Sequence, residues 1–134
     1  MDRLIRLDYV WLDGNSTQTL RTKVKYDTIE VENPQQPPSP DELFSQIGDW
    51  SFDGSSTNQA ETKSSDLIIR PVKIYGNAFV NRRGGLPSYI VFCEVFNADG
   101  SPHETNERAK LRDALETDTS AIDPAFGMEQ EYIF

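Results

Sequence analysis

The sequence has few of the residues that would cross-link it or supply simple acid–base chemistry. Its 134 residues contain one cysteine, Cys93, so no disulfide can form within the chain. Cys93 lies in an apolar run and is predicted to be a buried strand residue. A single cysteine without a disulfide partner is typical of a protein from a reducing compartment. The single histidine, His103, lies in a predicted loop with no nucleophile pattern around it, so we expect a surface residue without a catalytic role.

Long apolar stretches are also lacking. No segment approaches the roughly 20 apolar residues that a transmembrane helix needs. Residues 1–9 alternate charged and aliphatic side chains and do not contain the apolar core of a signal peptide. We therefore expect a soluble, cytoplasmic protein without a membrane partner.

Basic residues are few and dispersed. The chain has 13 Lys and Arg against 22 Asp and Glu, which gives a formal net charge of −9. Binding to nucleic acid needs clustered positive charge to neutralise phosphates, so nucleic acid is not an expected partner. What is present is a globular composition, with 37% hydrophobic and 26% charged residues. A chain of this length can bury roughly two thirds of its surface on folding.

Alternating apolar and polar residues predict the strands. Residues 4–11 and 19–26 each follow a period of two and flank a D-G-N turn signal, which predicts an antiparallel hairpin. Residues 66–75 predict a strand that lies at a sheet edge or bends at Pro71, because proline has no N–H to donate. Residues 88–97 predict the strongest strand, buried on both faces.

Two helices are predicted, each with a recognisable cap. Ser39 is the expected N-cap of a short helix, with Pro40 at the first helical position and Glu42 completing a capping box. Thr105 is expected to cap a second helix over residues 106–116. Because a sheet with an apolar face must be covered, the strands and helices together predict an α+β domain.

The first candidate site is the segment W-S-F-D-G-S-S-T-N-Q-A at residues 50–60. The Ser, Thr, Asn and Gly content predicts a flexible surface loop over residues 51–65, in which Asp53 and Gly54 begin a turn. Spacing alone leaves two interpretations open. One is an ordinary turn, and the other is an aspartate held by a Ser/Thr network as a positioned charge.

The second candidate site is the segment F-G-M-E-Q-E-Y at residues 126–132, in a predicted extended segment over residues 126–134. Residues two apart in a strand point to the same side, so Glu129 and Glu131 are expected on one face, about 6.5 Å apart. Such a pair suits a hard cation such as Mg²⁺ or Mn²⁺. The alternative is a solvent-facing strand with alternating glutamates, and two carboxylates alone do not complete a metal site.

Several blocks of the sequence, in their order and spacing, resemble class II glutamine synthetases over nearly the whole chain. Any one block would be a weak signal, whereas their agreement is a strong one. The blocks are Y-V-W-L-D-G at 9–14, the W-x-F-D-G-S-S-T-x-Q-A loop at 50–60, C-E-V-F at 93–96, E-T-N-E-R at 104–108 and F-G-x-E-Q-E-Y at 126–132.

The resemblance implies both a fold and a reaction. Residues 1–103 would form a β-grasp (ubiquitin-like) domain, a mixed sheet with covering helices, and residues 104–134 a linker helix and the start of the catalytic domain. In this family ATP phosphorylates the γ-carboxylate of glutamate, and ammonia displaces the phosphate to give glutamine, with two divalent ions, magnesium or manganese, neutralising charge. The family forms homo-oligomers of stacked rings with active sites between subunits.

The motif match also implies roles for three carboxylates. Glu131 would ligate the ion near glutamate, and Glu129 the ion near the ATP phosphates. Asp53 would help to bind ammonium and favour its deprotonation, in the active site of a neighbouring subunit. Family members often carry tryptophan immediately before the F-G of the metal strand. This sequence has Ala125 there, which lacks the ring for an aromatic contact to ATP, and its effect on nucleotide binding is left open.

The chain ends at Phe134, before the family's remaining metal ligands, its phosphate-contacting arginines and its glutamate-binding residues. We therefore expect the N-terminal portion of a ligase, truncated and inactive by itself. One alternative is a non-catalytic β-grasp module that binds or regulates a full-length synthetase. Another is a weak metal binder without a function.

Overall fold

The computed structural model describes residues 1–33, 35–81, 85–118 and 125–133. Within these ranges no helix is both long and apolar enough to cross a membrane. The described elements are β1 Asp2–Leu12, β2 Leu20–Glu30, α1 Pro40–Phe44, β3 Trp50–Asp53, a 3₁₀ turn Gly54–Thr57, β4 Asp66–Gly76, α2 Ala78–Asn81, β5 Ser88–Phe96 and α3 Glu107–Asp118.

The five strands form one mixed sheet in the order β2-β1-β5-β4-β3. β1 and β5 pair in parallel at its centre, and the other neighbours are antiparallel. The predicted α+β class is confirmed, and the arrangement is consistent with a β-grasp-like domain. The first and the last of the described strands therefore lie side by side, which brings distant loops to the same end of the sheet.

The core lies on one face of this sheet and follows from the alternation in β1. Ile5, Leu7 and Tyr9 are fully buried, and they share their cluster with Leu43 of α1. The predicted hairpin is confirmed, and both of its strands are longer than expected. Burying a side chain such as Leu43 contributes about 1.5–3 kcal/mol, so α1 acts mainly as a cover for this face.

The start of α1 confirms the predicted capping box. The Glu42 amide donates to the Ser39 hydroxyl at 3.3 Å, and the Glu42 carboxylate accepts from the Ser39 amide at 2.6 Å. Pro40 occupies the first turn, where its missing N–H has no intrahelical partner to lose. Sequence-local chemistry therefore defines how this helix begins.

The helix α3 packs on the opposite face of the sheet, where it holds a buried carboxylate. Arg112 lies 2.8 Å and Arg108 3.4 Å from Glu94 of β5, whose side chain is 2% exposed. Asn106 caps the helix, because its Oδ1 accepts from the Ala109 amide at 3.0 Å. The prediction that Thr105 would be the cap is therefore wrong by one residue.

The structure tests three further predictions. Cys93 is buried in β5, as expected. β3 pairs with β4 only over residues 66–69, so Pro71 lies where β4 has a described neighbour, β5, on one side only, as the edge alternative expects. A register shift between Pro71 and Lys73 supports the bent alternative as well. Residues 125–133 carry no strand or helix, and Phe134 lies outside the described residues. A strand there would need a ladder partner, and no described strand pairs with this segment.

Candidate functional site

Asp53 stands at the point where β3 becomes the 3₁₀ turn. Its carboxylate caps that turn, since Oδ1 accepts from the Ser55 amide at 2.9 Å and from the Ser55 hydroxyl at 2.6 Å. The Ser56 hydroxyl donates to the Asp53 carbonyl at 2.9 Å. The structure therefore contains both the turn and the hydroxyl network of the two interpretations.

These hydrogen bonds set the charge of the site. The Ser55 hydroxyl, followed by the Ser55 amide, holds the pKa of Asp53 below its ordinary value. The side chain is exposed, so the aspartate presents a full negative charge to solvent at neutral pH. An exposed carboxylate with a lowered pKa is suited to attracting a cation and is a poor proton acceptor.

The segment that follows Asp53 is anchored, which contradicts the predicted flexible loop. Residues 50–53 are strand β3, and both Thr57 and Gln59 are buried. The Thr57 hydroxyl donates to Gln59 Oε1 at 2.8 Å, and Gln59 Nε2 donates to the Leu12 carbonyl at 3.1 Å. The loop is thereby tied to the end of β1, which holds Asp53 in one place relative to the sheet.

The β1–β2 turn is the surface on which this loop rests. The Gly14 amide donates to the Thr57 carbonyl at 2.9 Å, and Asn58, in the left-handed conformation with φ 57°, donates from its side chain to the Gly14 carbonyl. A Cβ atom on Gly14 would lie 2.0 Å from the Asn58 carbonyl oxygen. Only glycine permits this approach of the two backbones.

The turn is itself held by a buried carboxylate, Asp13. It accepts from the Thr19 hydroxyl at 2.6 Å, from the Thr19 and Asn15 amides at 3.0 and 3.1 Å, and from Arg21 Nε at 3.0 Å. These donors, the Thr19 hydroxyl first, hold the pKa of Asp13 far below its ordinary range. The loop of Asp53 therefore rests on a turn whose geometry is fixed independently.

His103 is a residue whose position sequence reasoning misjudged. It is 7% exposed, so the prediction of a surface histidine is wrong. Its Nε2 lies 2.7 Å from the Gln59 carbonyl oxygen, which places the ring between the Asp53 loop and the segment before α3. A lone histidine carries no sequence signal for such a contact, because Gln59 is 44 residues away.

Glu129 and Glu131 lie in the segment without regular structure, and both side chains are exposed. In the described ranges no group of three or more His, Cys, Asp or Glu residues is placed to hold a metal ion. Two carboxylates are hard oxygen donors that fit Mg²⁺ or Mn²⁺ in kind, but such ions take about six ligands. The structure shows no contact between these glutamates and Asp53, and their role stays a prediction.

Comparisons with known proteins agree with the resemblance seen in the sequence. The chain is 42% identical over 130 residues to the glutamine synthetase of Streptomyces viridochromogenes, covering 96% of this chain and 34% of that protein. It is 40% identical over 125 residues to the chloroplastic glutamine synthetase of Chlamydomonas reinhardtii, covering 93% and 32%. The rat glutamine synthetase is 39% identical over 128 residues, covering 96% and 30%. No family model matches the chain.

The fold and the anchored aspartate loop define an α+β domain that presents a charged carboxylate at the end of its sheet. The three relatives that resemble it in sequence are all glutamine synthetases. The predicted resemblance to glutamine synthetases is confirmed over almost the whole chain, which spans about a third of the length of the curated relatives it matches.

Proposed function

We propose that this chain is part of a glutamine synthetase, which joins ammonia to glutamate at the expense of ATP. The γ-carboxylate of glutamate attacks the terminal phosphorus of ATP, ADP leaves, and the nitrogen of ammonia then displaces phosphate from the acyl phosphate. In this proposal residues 1–103 are a β-grasp domain, residues 104–134 lead into the catalytic domain, and the protein is a cytoplasmic homo-oligomer. The similarity over at least 93% of the chain supports the assignment to a glutamine synthetase.

The role proposed for Asp53 is to attract ammonium and to stabilise the positive charge that develops as nitrogen attacks. The observation that carries it is the anchored loop, which presents a carboxylate with a lowered pKa to solvent. A fixed charge needs no reorganisation when the reaction occurs, which is the source of electrostatic catalysis. Because the side chain faces outward, it is available to the active site of a neighbouring subunit.

Glu129 and Glu131 are proposed as ligands of two divalent ions, Mg²⁺ or Mn²⁺, with Glu131 near glutamate and Glu129 near the ATP phosphates. These ions would neutralise the charge of the transferring phosphoryl group. The support is the F-G-x-E-Q-E-Y match and the oxygen donors that the two side chains supply. The remaining ligands would come from the part of a synthetase that this chain does not span.

A chimeric enzyme tests the proposal. The matching third of the Streptomyces viridochromogenes synthetase is replaced by this chain, and glutamine formation is measured with ATP, glutamate, ammonium and magnesium. We expect activity from the chimera and only background from this chain alone, since two carboxylates cannot complete a two-metal site. An assembled but inactive chimera, with the unmodified relative active beside it, would argue against the proposal and favour a non-catalytic module.

A further inference from the structure

The imidazole of His103 joins two segments that are distant in the sequence. Its Nε2 lies 2.7 Å from the Gln59 carbonyl oxygen. Its Nδ1 lies 3.2 Å from the Thr105 amide nitrogen and 2.9 Å from the Thr105 hydroxyl. The ring is 7% exposed, so water cannot easily replace either contact.

The partners of the ring determine where its proton lies. A backbone N–H can only donate, so Nδ1 must accept from Thr105. A carbonyl oxygen can only accept, so Nε2 must carry the hydrogen that is donated to Gln59. Both contacts are satisfied by a neutral ring with its hydrogen on Nε2.

The Gln59 side chain adds a second connection between its loop and the segment of His103 and Thr105. Its Nε2 donates to the Thr105 hydroxyl at 2.9 Å and to the Leu12 carbonyl at 3.1 Å. His103, Thr105 and Gln59, which we name the clasp, thus connect the end of β1, the Asp53 loop and the segment that precedes α3. None of the three residues belongs to the hydrophobic core cluster, and the bond that caps α3 comes from Asn106.

We propose that His103 is a positioning residue for the loop that carries Asp53, acting through its Nε2 hydrogen on the Gln59 carbonyl, with Thr105 fixing the tautomer. The consequence for ammonia use rests on the function proposed above, whereas the clasp itself does not. Among the described residues, the ring nitrogens bond only Thr105 and Gln59, and no charged side chain forms a hydrogen bond or ion pair with them.

Two conservative substitutions separate the two ring nitrogens. His103→Gln retains an amide N–H near the place of Nε2, and His103→Asn retains a polar group only near the place of Nδ1. His103→Phe retains the shape of the ring with neither group. The measurement is amide hydrogen exchange at Gln59 and Ala60, whose N–H groups both bond the Gly54 carbonyl, with amides of β1 and β5 as the internal reference.

We expect His103→Gln to protect the loop amides nearly as well as the unsubstituted chain. His103→Asn and His103→Phe should exchange about tenfold faster in the loop, the effect of losing one buried hydrogen bond, with the strand amides unchanged. Equal loop protection in all three variants, or equal loss in all three, would overturn the proposal.

A second measurement needs no variant and covers the case in which a substitution unfolds the chain. Nitrogen-15 shifts of the ring should show a protonated Nε2 and an unprotonated Nδ1 in the folded protein at neutral pH. The opposite tautomer, or an average of the two, would overturn the proposal. Because both measurements use this chain without catalysis, an inactive chimera with an intact clasp would count only against the proposed function.

Discussion

The loop that carries Asp53 and the segment that carries Glu129 and Glu131 differ in how the rest of the molecule holds them. The loop has hydrogen bonds to β1, to the β1–β2 turn and to His103. The segment of residues 125–133 has no regular structure, and both glutamates are exposed. A charge on the loop is therefore positioned before any partner arrives, whereas the glutamates would have to be positioned by their partner.

The largest expected effect is on catalysis. It is the effect of substituting Asp53, and it shows whether this carboxylate acts in the active site of a different subunit. In the chimera, Asp53→Ala should lower ammonia use about 10²- to 10³-fold, as for loss of one preorganised electrostatic contact. Binding of ATP and glutamate should change little. Mixed oligomers of Asp53→Ala and Glu131→Ala chains should recover part of the activity, because some interfaces then carry neither defect.

The measurement is glutamine formation per oligomer after co-expression of the two variants. Asp66→Ala is a matched control, because Asp66 is an exposed aspartate paired with Asp53 in the ladder. Mixed oligomers no more active than the sum of the separate variants would place Asp53 in the active site of its own subunit.

The next effect concerns the anchoring itself. Gly14→Ala places a Cβ 2.0 Å from the Asn58 carbonyl oxygen, so the loop must move away from the turn. Overpacking of this kind costs about 1–3 kcal/mol in free energy of unfolding. Gly127→Ala is the control from the unanchored segment, where a Cβ meets nothing within 4 Å. Urea unfolding of both variants should show a loss only for the first, and equal stabilities would mean that the contact is not maintained in solution.

A smaller effect is expected on the charge of Asp53. Ser55→Ala removes the hydroxyl that is the main cause of the lowered pKa, so the pKa of Asp53 should rise toward its ordinary value. Because folding lowers the pKa of Asp53, the ionised carboxylate stabilises the fold at pH values above its ordinary pKa. This stabilisation is lost as the pH falls through the lower pKa of the folded state.

Carboxyl carbon shifts followed through an acid titration give this pKa directly. Ser56→Ala serves as the comparison, because its hydroxyl bonds the backbone carbonyl of Asp53 and not the carboxylate. An equal shift in both variants would mean that the capping geometry, and not the Ser55 hydroxyl, sets the charge.

The smallest effect is expected at the glutamates. Mn²⁺ should bind this chain with millimolar affinity at best, because hard-cation sites take six or more oxygens. Calorimetry should give the same weak isotherm for Glu129→Gln, with the matched substitution Gln130→Glu as a control for local charge. A micromolar site lost in Glu129→Gln would show that the segment builds a complete site, and the contrast with the Asp53 loop would then fail.

Sequence reasoning succeeds here where the physical cause is local. The alternation of β1 and the three-residue spacing of Ser39 and Glu42 are each read within a few residues, and the hairpin and the capping box are both confirmed. The order of the Asp53 loop is not local, because Gln59 bonds groups 46 and 47 residues away. A composition rich in Ser and Thr predicts flexibility, and it contains no information about such partners.

The same reason explains the outcome for the candidate sites. The network around Asp53 is predictable, since Ser55 is two residues away and its type favours this turn. The burial of His103 is not, because it depends on where the chain returns after β5. The roles of Asp53, Glu129 and Glu131 stay predictions, since they depend on groups that this chain does not supply.

The parallel pairing of β1 with β5 has a consequence for how the protein is made. β5, the central strand of the sheet, is the last of the five described strands to be synthesised, and its Tyr89 lies opposite Leu7 of β1. Until residues 88–96 leave the ribosome, one edge of β1 and one edge of β4 have no ladder partner, and open edges invite pairing with other chains. The hairpin can form early, but closure of the sheet must wait for this non-local contact, which slows folding. Synthesis of β5 is thus the step that gives the inner edges of β1 and β4 their partners.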